Sequence, residues 1–248
     1  MKAKPGVSLL LGCLMLGLAT PVLAGDGHSD NSADWFYQKE VAEAKYNTPI
    51  MVRDTDSALG RLNLQTKELG LKDLVRIHGH ACDGLVISFV EIRAALMKLF
   101  PDGVVDRTDL RVVSKNGPCW VDAGAMLTGA RINFKTLRID KTVGDGFIIQ
   151  RISTGEAYDV HLKPGVFPAE QAALEGKIRK LRSEGSQVTA EDINTVEKMA
   201  SSFNIKLLST PADQLVDVKA LSDFKFAAID TVEVFGNRGD VVNKDMPR

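Results

Sequence analysis

The chain has 248 residues, of which 44% are hydrophobic and 25% charged, and its formal net charge is -1. These values are typical of a soluble globular protein. They exclude the strongly basic composition that accompanies many nucleic-acid-binding domains, so we expect no nucleic-acid partner. The length is enough for one large domain, or for a main domain with a smaller appendage.

The first 24 residues have the pattern of a secretory signal peptide. Lys2 and Lys4 form a positive n-region, residues 7–19 form an apolar h-region, and cleavage is expected after Ala24. This apolar run is short for a membrane span, and no later run of about 18 apolar residues replaces it. The mature chain is therefore expected to be periplasmic or secreted and to contain no membrane span.

Hydrophobic spacing and turn residues predict the elements of the first third of the chain. The expected elements are a helix over residues 33–45, an extended segment over 49–52, a helix over 56–69 that stops at Gly70, and a turn over 72–77. The strongest helix prediction follows at residues 84–100. Leu85, Phe89 and Ile92 begin an apolar repeat there at helical spacing, which predicts a central core helix.

The rest of the chain mixes strands and helices without strict alternation. The expected elements are a strand over 110–113, a helix over 119–128 that stops at Gly129, a hairpin of strands 147–152 and 157–162, a linker over 164–168, helices near 174–181 and after a Thr189 cap, and strands over 216–218 and 224–235. This order predicts an α+β fold. We expect a mixed sheet packed with helices, as one main domain with a helical and strand C-terminal extension.

The most informative motif is His78-Gly79-His80-Ala81-Cys82-Asp83-Gly84. The whole chain contains only four histidines and three cysteines, and three of these seven residues fall within five positions. Imidazole and thiolate are the ligands that zinc and similar transition metals prefer. Small residues between them allow a tight turn, so several donors can converge on one point.

Cys82 and Cys119 both lie near the predicted starts of helices. A helix N-terminus favours thiolate, which is the form that binds a metal. If the two cysteines meet in space, His80 would complete a set of three ligands that leaves one position open, as in exchangeable or reactive sites. His78 is then either the fourth ligand or a partner that hydrogen-bonds a ligand.

Simpler interpretations of the same residues stay open. In an oxidising compartment, Cys82 and Cys119 can form a disulfide, or Cys119 can be an inert core residue. His78 can be a structural hydrogen-bonding histidine, while His161, in a predicted strand, is expected to be a core or surface residue. Asp122 is either a helix-start charge or a group that orients a metal ligand.

The motif and a second block resemble the family of E-type subunits of formylmethanofuran dehydrogenase. The second block is Asn116-Gly117-Pro118-Cys119-Trp120-Val121-Asp122-Ala123 through Gly129, and it matches that family in order and spacing. The resemblance runs from about Leu71 to Val218. It implies an α+β domain that binds a metal, usually zinc, through His78, His80, Cys82 and Cys119, and it implies a homodimer.

The chain also departs from the family pattern. Members commonly have proline at the position of Asp83, cysteine at the position of Ala130, and a Gly-Lys-Gly stretch where residues 133–135 stand here. Many end in a cysteine-rich zinc ribbon, which is not expected here because residues 235–240 contain no cysteine. The expected divisions are a signal peptide over residues 1–24, a helical lead-in over 25–70, a metal-binding core over 71–165 and a C-terminal extension over 166–248.

Three functions follow from these observations. The first is an exported protein that binds a metal or metallocofactor, zinc or another divalent transition metal, and that accompanies a redox enzyme or another metalloenzyme. The second is a zinc-dependent hydrolytic enzyme, in which an open metal position activates water and Asp122 or Asp83 moves the proton. The third is a disulfide-stabilised interaction domain without a metal.

Overall fold

A computed structural model describes residues 36–229, and they form an α+β fold with two mixed sheets. The helices are α1 (Lys39–Ala42), α2 (Leu71–His78), α3 (Asp83–Leu99), α4 (Pro118–Thr128), α5 (Ala169–Ser183), α6 (Ala190–Ser209) and α7 (Ala212–Leu215). The strands are β1 (Ile50–Arg53), β2 (Lys67–Leu69), β3 (Val104–Asp106), β4 (Leu110–Ser114), β5 (Leu137–Ile139), β6 (Gly146–Arg151), β7 (Ala157–Leu162) and β8 (Val216–Leu221). The predicted fold class is confirmed.

The larger sheet has the strand order β5-β4-β6-β7-β8. Strand β4 is parallel to β5, and the other pairs are antiparallel, with Val113 opposite Ile148 and Val160 opposite Val218. The smaller sheet has the order β2-β1-β3. Strand β8 is the edge strand of the larger sheet beside β7, so the C-terminal extension contributes directly to the sheet of the main domain.

Helix α3 lies at the centre of the core, as its apolar repeat predicts. It packs on β6, β7 and β8 and also contacts α4 and α6. Leu85, Phe89, Ile92 and Leu96 are fully buried, and further buried residues lie on its other faces. A helix that is apolar on all sides is stable only when other elements surround it, which explains why α3 can position the residues at its N-terminus.

Several local predictions are wrong. Residues 56–69 do not form a helix: Leu59 and Leu64 are exposed, Gly60 has a positive φ of 80°, and only β2 forms near the end of this segment. Residues 72–77, predicted as a turn, belong to helix α2. The strand predicted from residue 224 is absent over 224–229, while its remainder lies outside the described residues.

Other differences concern short elements. In the described part of the predicted helix 33–45, only Lys39–Ala42 is helical. Strands β3 and β5 have three residues each and were not predicted, because such short segments carry too little alternation to be recognised. The predicted signal peptide and leader lie outside the described residues. No helix within residues 36–229 has the length and apolar content needed to cross a membrane.

Candidate metal centre

Helix α2 places His78 at the centre of the candidate site. The helix begins where the Asp73 carboxylate accepts a hydrogen bond from the Gly70 N–H at 2.9 Å, and it buries Leu71, Leu74 and Val75. His78 is its last residue. Gly79 then adopts a left-handed conformation with φ 102°, which favours glycine and turns the chain sharply toward the next helix.

The two cysteines lie at the N-termini of two neighbouring helices. Cys82 is the N-cap of α3, and Cys119 is the second residue of α4, directly after Pro118. Both thiols are free, and their Sγ atoms are 3.2 Å apart. The structure therefore brings together the two cysteines that the sequence placed at helix starts, where the helix dipole favours negative charge.

Gly84 allows this close approach of the two helices. A Cβ at this position would lie 3.0 Å from both Cys119 Sγ and Trp120 Cζ3, which is closer than ordinary van der Waals contact. A larger residue would require the side chains of Cys119 and Trp120, or α4 itself, to shift by a few tenths of an ångström. The glycine at the end of the motif therefore allows the two helices to approach closely at the two sulfur atoms.

Two of the three distances between the donor atoms of His78, Cys82 and Cys119 fit a tetrahedral metal ion. His78 Nε2 lies 3.7 Å from Cys82 Sγ and 3.7 Å from Cys119 Sγ. With metal–sulfur bonds of about 2.3 Å and metal–nitrogen bonds of about 2.0–2.1 Å, tetrahedral zinc places its ligand atoms roughly 3.5–3.8 Å apart. The two nitrogen–sulfur distances match this range, whereas the sulfur–sulfur distance of 3.2 Å is about 0.5 Å shorter than the roughly 3.8 Å expected for two sulfur ligands, so the thiols would move apart on binding an ion.

Asp122 fixes the orientation of the His78 ring. His78 Nδ1 donates a hydrogen bond of 2.8 Å to Asp122 Oδ2, since an ionised carboxylate can only accept. In the neutral ring, this arrangement leaves the Nε2 lone pair directed toward the two sulfurs. The His78 side chain is 6% exposed and that of Asp122 is 44% exposed. A carboxylate behind a histidine in this way is typical of metal centres.

His80 approaches the same point from the solvent side. Its donor atom and those of His78 and Cys82 all lie within 4.8 Å of one another. The ring is exposed, and its centroid is 4.9 Å from that of His78. The sequence favoured His80 over His78 as the third ligand, but the structure places His78 at equal distance from both sulfurs. The reason is α2, which was not predicted and which directs His78 into the site.

The hydrogen bond between the two thiols shifts their pKa values in opposite directions. The hydrogen bond with Cys119 and then burial raise the pKa of Cys82, whereas the hydrogen bond from Cys82 lowers the pKa of Cys119. A first deprotonation therefore leaves its charge on Cys119. For His78, burial lowers the pKa, but the hydrogen bonds with Asp122 and Cys82 outweigh it and hold the pKa above its ordinary value.

The segment of the chain that contains this site matches a known protein family. Residues 77–217 match the family described as FmdE, molybdenum formylmethanofuran dehydrogenase operon, and this segment is more than half of the 248 residues. The chain belongs to the FmdE family. The resemblance predicted from the two motifs is confirmed. No curated protein matches the chain.

The FmdE segment extends beyond the cysteine and histidine motifs to residue 217, so it includes α5 and α6. These helices hold the loop that carries Cys82. Asn204 Nδ2, from α6, donates a hydrogen bond of 2.9 Å to the Ala81 carbonyl. Gln171 Nε2, from α5, donates one of 2.6 Å to Asp83 Oδ2. Both amides are buried.

Neither amide was predicted to support the site, because an isolated Asn or Gln in an amphipathic helix carries no recognisable signal. Gln171 also explains the role of Asp83. Burial is the main reason that the pKa of Asp83 is raised, and the nearby Glu175 adds to it, while the hydrogen bond from Gln171 acts in the opposite direction. Asp83 is thus held by the helix behind it, on the side of the loop that α5 covers.

Among the described residues, His161 does not join the site. His161 lies on β7, where its Nε2 is 2.5 Å from Asp159 Oδ1 and its Nδ1 is 3.2 Å from the Asp145 carbonyl. This agrees with the structural role expected for it. His28 falls outside the described residues. The structure thus groups His78, His80 and Cys82, and places Cys119 in contact with His78 and Cys82, while their assignment as metal ligands stays a prediction.

Proposed function

We propose that this FmdE-family chain binds a divalent transition metal, zinc or an ion of similar softness, as an exported accessory protein of a redox or metalloenzyme system. His78 and the two cysteines would bind the ion, and His80 would be the fourth donor. The observation that carries this proposal is the equal distance from His78 Nε2 to Cys82 Sγ and Cys119 Sγ, with Asp122 hydrogen-bonded to the other ring nitrogen.

Binding is favoured over hydrolysis by the state of the two nearby carboxylates. A hydrolytic zinc site needs a carboxylate that is free to accept a proton from the bound water. Asp122 is engaged by His78 Nδ1, and Asp83 is engaged by Gln171.

The export and assembly parts of the proposal rest on other grounds. Export is supported by the positive n-region and apolar h-region of residues 1–24. A redox-enzyme partner and a homodimer are supported by resemblance to the family, whose description names a molybdenum dehydrogenase operon. Mass spectrometry of the exported protein would test cleavage after Ala24, and light scattering after size exclusion would test the dimer.

The decisive experiment combines metal analysis with thiol titration of the chain purified from the periplasm. We expect about one equivalent of metal per chain and two thiols that react only after a chelator is added. Thiols that react only after reduction, with no metal present, would support a disulfide-stabilised domain and overturn the proposal. Activity of the metal-loaded protein against hydrolysable esters or amides would favour the enzyme instead.

Two histidine variants make the test specific to the site. His78→Ala removes the imidazole that lies 3.7 Å from both sulfurs, whereas His161→Ala removes one that is paired with a carboxylate on β7, outside the cluster. We expect the first variant to lose bound metal and the second to retain it. Equal metal content in the two variants would show that the ion is bound elsewhere.

A further inference from the structure

A pocket lies at the opposite end of α4 from the candidate metal centre. Its volume is about 250 Å³. Three connections surround it: the loop after β1, the turn between β3 and β4, and the segment from α4 to β5. At about 1.5 Å of rise per helical residue, its Gly129 lies roughly 15 Å along α4 from Cys119. This pocket is therefore separate from the His/Cys cluster.

Arg107 forms the fixed wall of the pocket. Its side chain is only 10% exposed, and its Nη2 donates a hydrogen bond of 2.8 Å to the Met126 carbonyl near the end of α4. Its Nη1 contacts the carboxylate of Asp54, which also receives the Lys67 ammonium at 3.2 Å. One carboxylate is thus shared by two cations. The guanidinium is held in place before any ligand arrives.

Arg131 brings a second guanidinium to the same pocket. Its side chain lies over the Phe134 ring at 4.9 Å from the centroid, a cation–π contact that restricts its orientation. Within residues 36–229, no carboxylate forms an ion pair with Arg131. Burial, together with the nearby charge of Arg131, lowers the pKa of Arg107. Two arginines therefore line one pocket with a single lining carboxylate, that of Asp54, which leaves a net positive charge.

A serine hydroxyl and a closely packed glycine also line the pocket. The Ser57 hydroxyl accepts a hydrogen bond from the Arg61 N–H at 3.1 Å, which leaves its own O–H free to donate. Gly129 has φ 75°, and a Cβ there would lie 2.8 Å from the Arg107 carbonyl oxygen. Both the positive φ and this close contact favour glycine at position 129. The backbone of residue 129 can therefore pack directly against that of Arg107.

We infer that this pocket binds a small molecule through an oxyanion, a phosphate or carboxylate group held between Arg107 and Arg131. A planar guanidinium binds such groups with two parallel hydrogen bonds, and an anion would offset the repulsion between the two arginines. The volume is below the usual range for drug-sized ligands, about 300–1,000 Å³, which favours a small anion over a nucleotide. Residues 54–60 of the wall lie outside the matched family segment of residues 77–217, so the site is not a property of that segment alone.

The test measures protection of Arg131 from an arginine-specific reagent. The full exported chain is treated with phenylglyoxal in chloride, inorganic phosphate or acetate at matched ionic strength, and modification of each arginine is followed by peptide mass spectrometry. Arg179, on α5 and 70% exposed, is the internal control. We expect phosphate or acetate to slow modification of Arg131 but not of Arg179, and the effective anion identifies the group as phosphate or carboxylate.

Equal rates at Arg131 in all three salts, or equal slowing of Arg179, would overturn the inference. A variant gives an independent measurement by isothermal titration with the anion that protects. Arg131→Gln should weaken binding roughly tenfold or more because a charge-assisted contact is lost, and Arg179→Gln should leave binding unchanged. Because Arg131 is exposed, its substitution leaves the core intact. Metal content should be the same in both variants, so this result is separable from the proposed metal function.

Discussion

At the residue scale, the two nitrogens of His78 have different tasks. Nδ1 contacts the Asp122 carboxylate, and Nε2 faces the sulfurs of Cys82 and Cys119. The carboxylate selects the tautomer whose free lone pair can bind a metal. The geometry of the candidate centre therefore depends on an acidic residue that would itself bind no ion.

The first prediction concerns this carboxylate. Asp122→Ala should lower the affinity for zinc about 10–100-fold, because the His78 ring loses its orientation. Competition with a chromophoric chelator measures this change. Asp159→Ala is the matched control, since it breaks the other carboxylate–histidine pair, on β7, outside the cluster. The explanation fails if both variants bind zinc as the natural chain does.

At the element scale, the crossing of α3 and α4 sets the distance between the two thiols. Gly84 of α3 lies against Cys119 and Trp120, and a Cβ there would lie only 3.0 Å from each side chain. Gly124 of α4 is different, since an added Cβ there would meet its nearest neighbour at 3.5 Å. An added methyl group would therefore be crowded at Gly84 but would fit at Gly124.

Gly84→Ala should therefore destabilise the fold and weaken metal binding, whereas Gly124→Ala should be neutral or stabilising. Overpacking at Gly84 costs about 1–3 kcal/mol. The gain of about 1 kcal/mol in helix propensity holds for interior positions such as Gly124 and is smaller for Gly84 in the first turn of α3. Urea denaturation of the metal-free proteins measures the difference. A more stable Gly84→Ala variant would show that α4 can shift freely.

A second element-scale prediction concerns α6. Asn204→Leu removes the amide that binds the Ala81 carbonyl, between His80 and Cys82. Leaving that carbonyl without a partner should cost about 1–3 kcal/mol of unfolding free energy and should also weaken zinc binding. Asn194→Leu, at an exposed position of the same helix, is the control. Equal stability and zinc affinity in the two variants would show that α6 does not support the site.

At the scale of the whole molecule, the carboxyl group of Glu91 is fully buried in the core between the helices and the larger sheet. Glu91 of α3 is 0% exposed, and its Oε1 accepts a hydrogen bond of 2.7 Å from the Leu162 N–H at the end of β7. Burial raises the pKa of Glu91 well above its ordinary value, despite this hydrogen bond. Of the nearby charges, Asp145 adds to the shift and Lys115 opposes it.

This raised pKa predicts how global stability depends on pH. The folded state binds the Glu91 proton more tightly than the unfolded chain, whose carboxyl has a pKa near 4.5. The contribution is therefore fully present below that pH and is lost as the pH rises toward the folded-state pKa. Glu91→Gln keeps the acceptor for Leu162 and removes the titration.

The free energy of unfolding of Glu91→Gln, relative to the natural chain, should thus increase between about pH 5 and pH 8. Denaturant titrations of metal-free protein across this range measure the difference, in which contributions from other groups cancel. Glu197→Gln, at an exposed position, should show no such trend. A pH-independent difference for Glu91→Gln would mean that Glu91 is ionised in the folded state.

Long, strongly patterned segments could be predicted from the sequence. The apolar repeat of α3, the β6–β7 hairpin and the Thr189 cap of α6 were all expected and are present. The helix predicted over residues 56–69 is absent, because the leucines on which it rested do not share a buried face: Leu62 is buried, but Leu59 and Leu64 are exposed. Helix α2 was missed because it is only eight residues long, and its stability comes from burying one face against the core.

The sequence by itself determined the types of the candidate donors, the placement of the two cysteines at helix starts and the family, because these depend on residue identity and local spacing. Only the tertiary structure decided that His78 lies nearer to both sulfurs than the sequence suggested, and that Asp122, Gln171 and Asn204 support the site. These three supporting contacts join residues that are 44, 88 and 123 positions apart in the chain. Their formation depends on how α2, α4, α5 and α6 pack around α3, which local spacing does not encode.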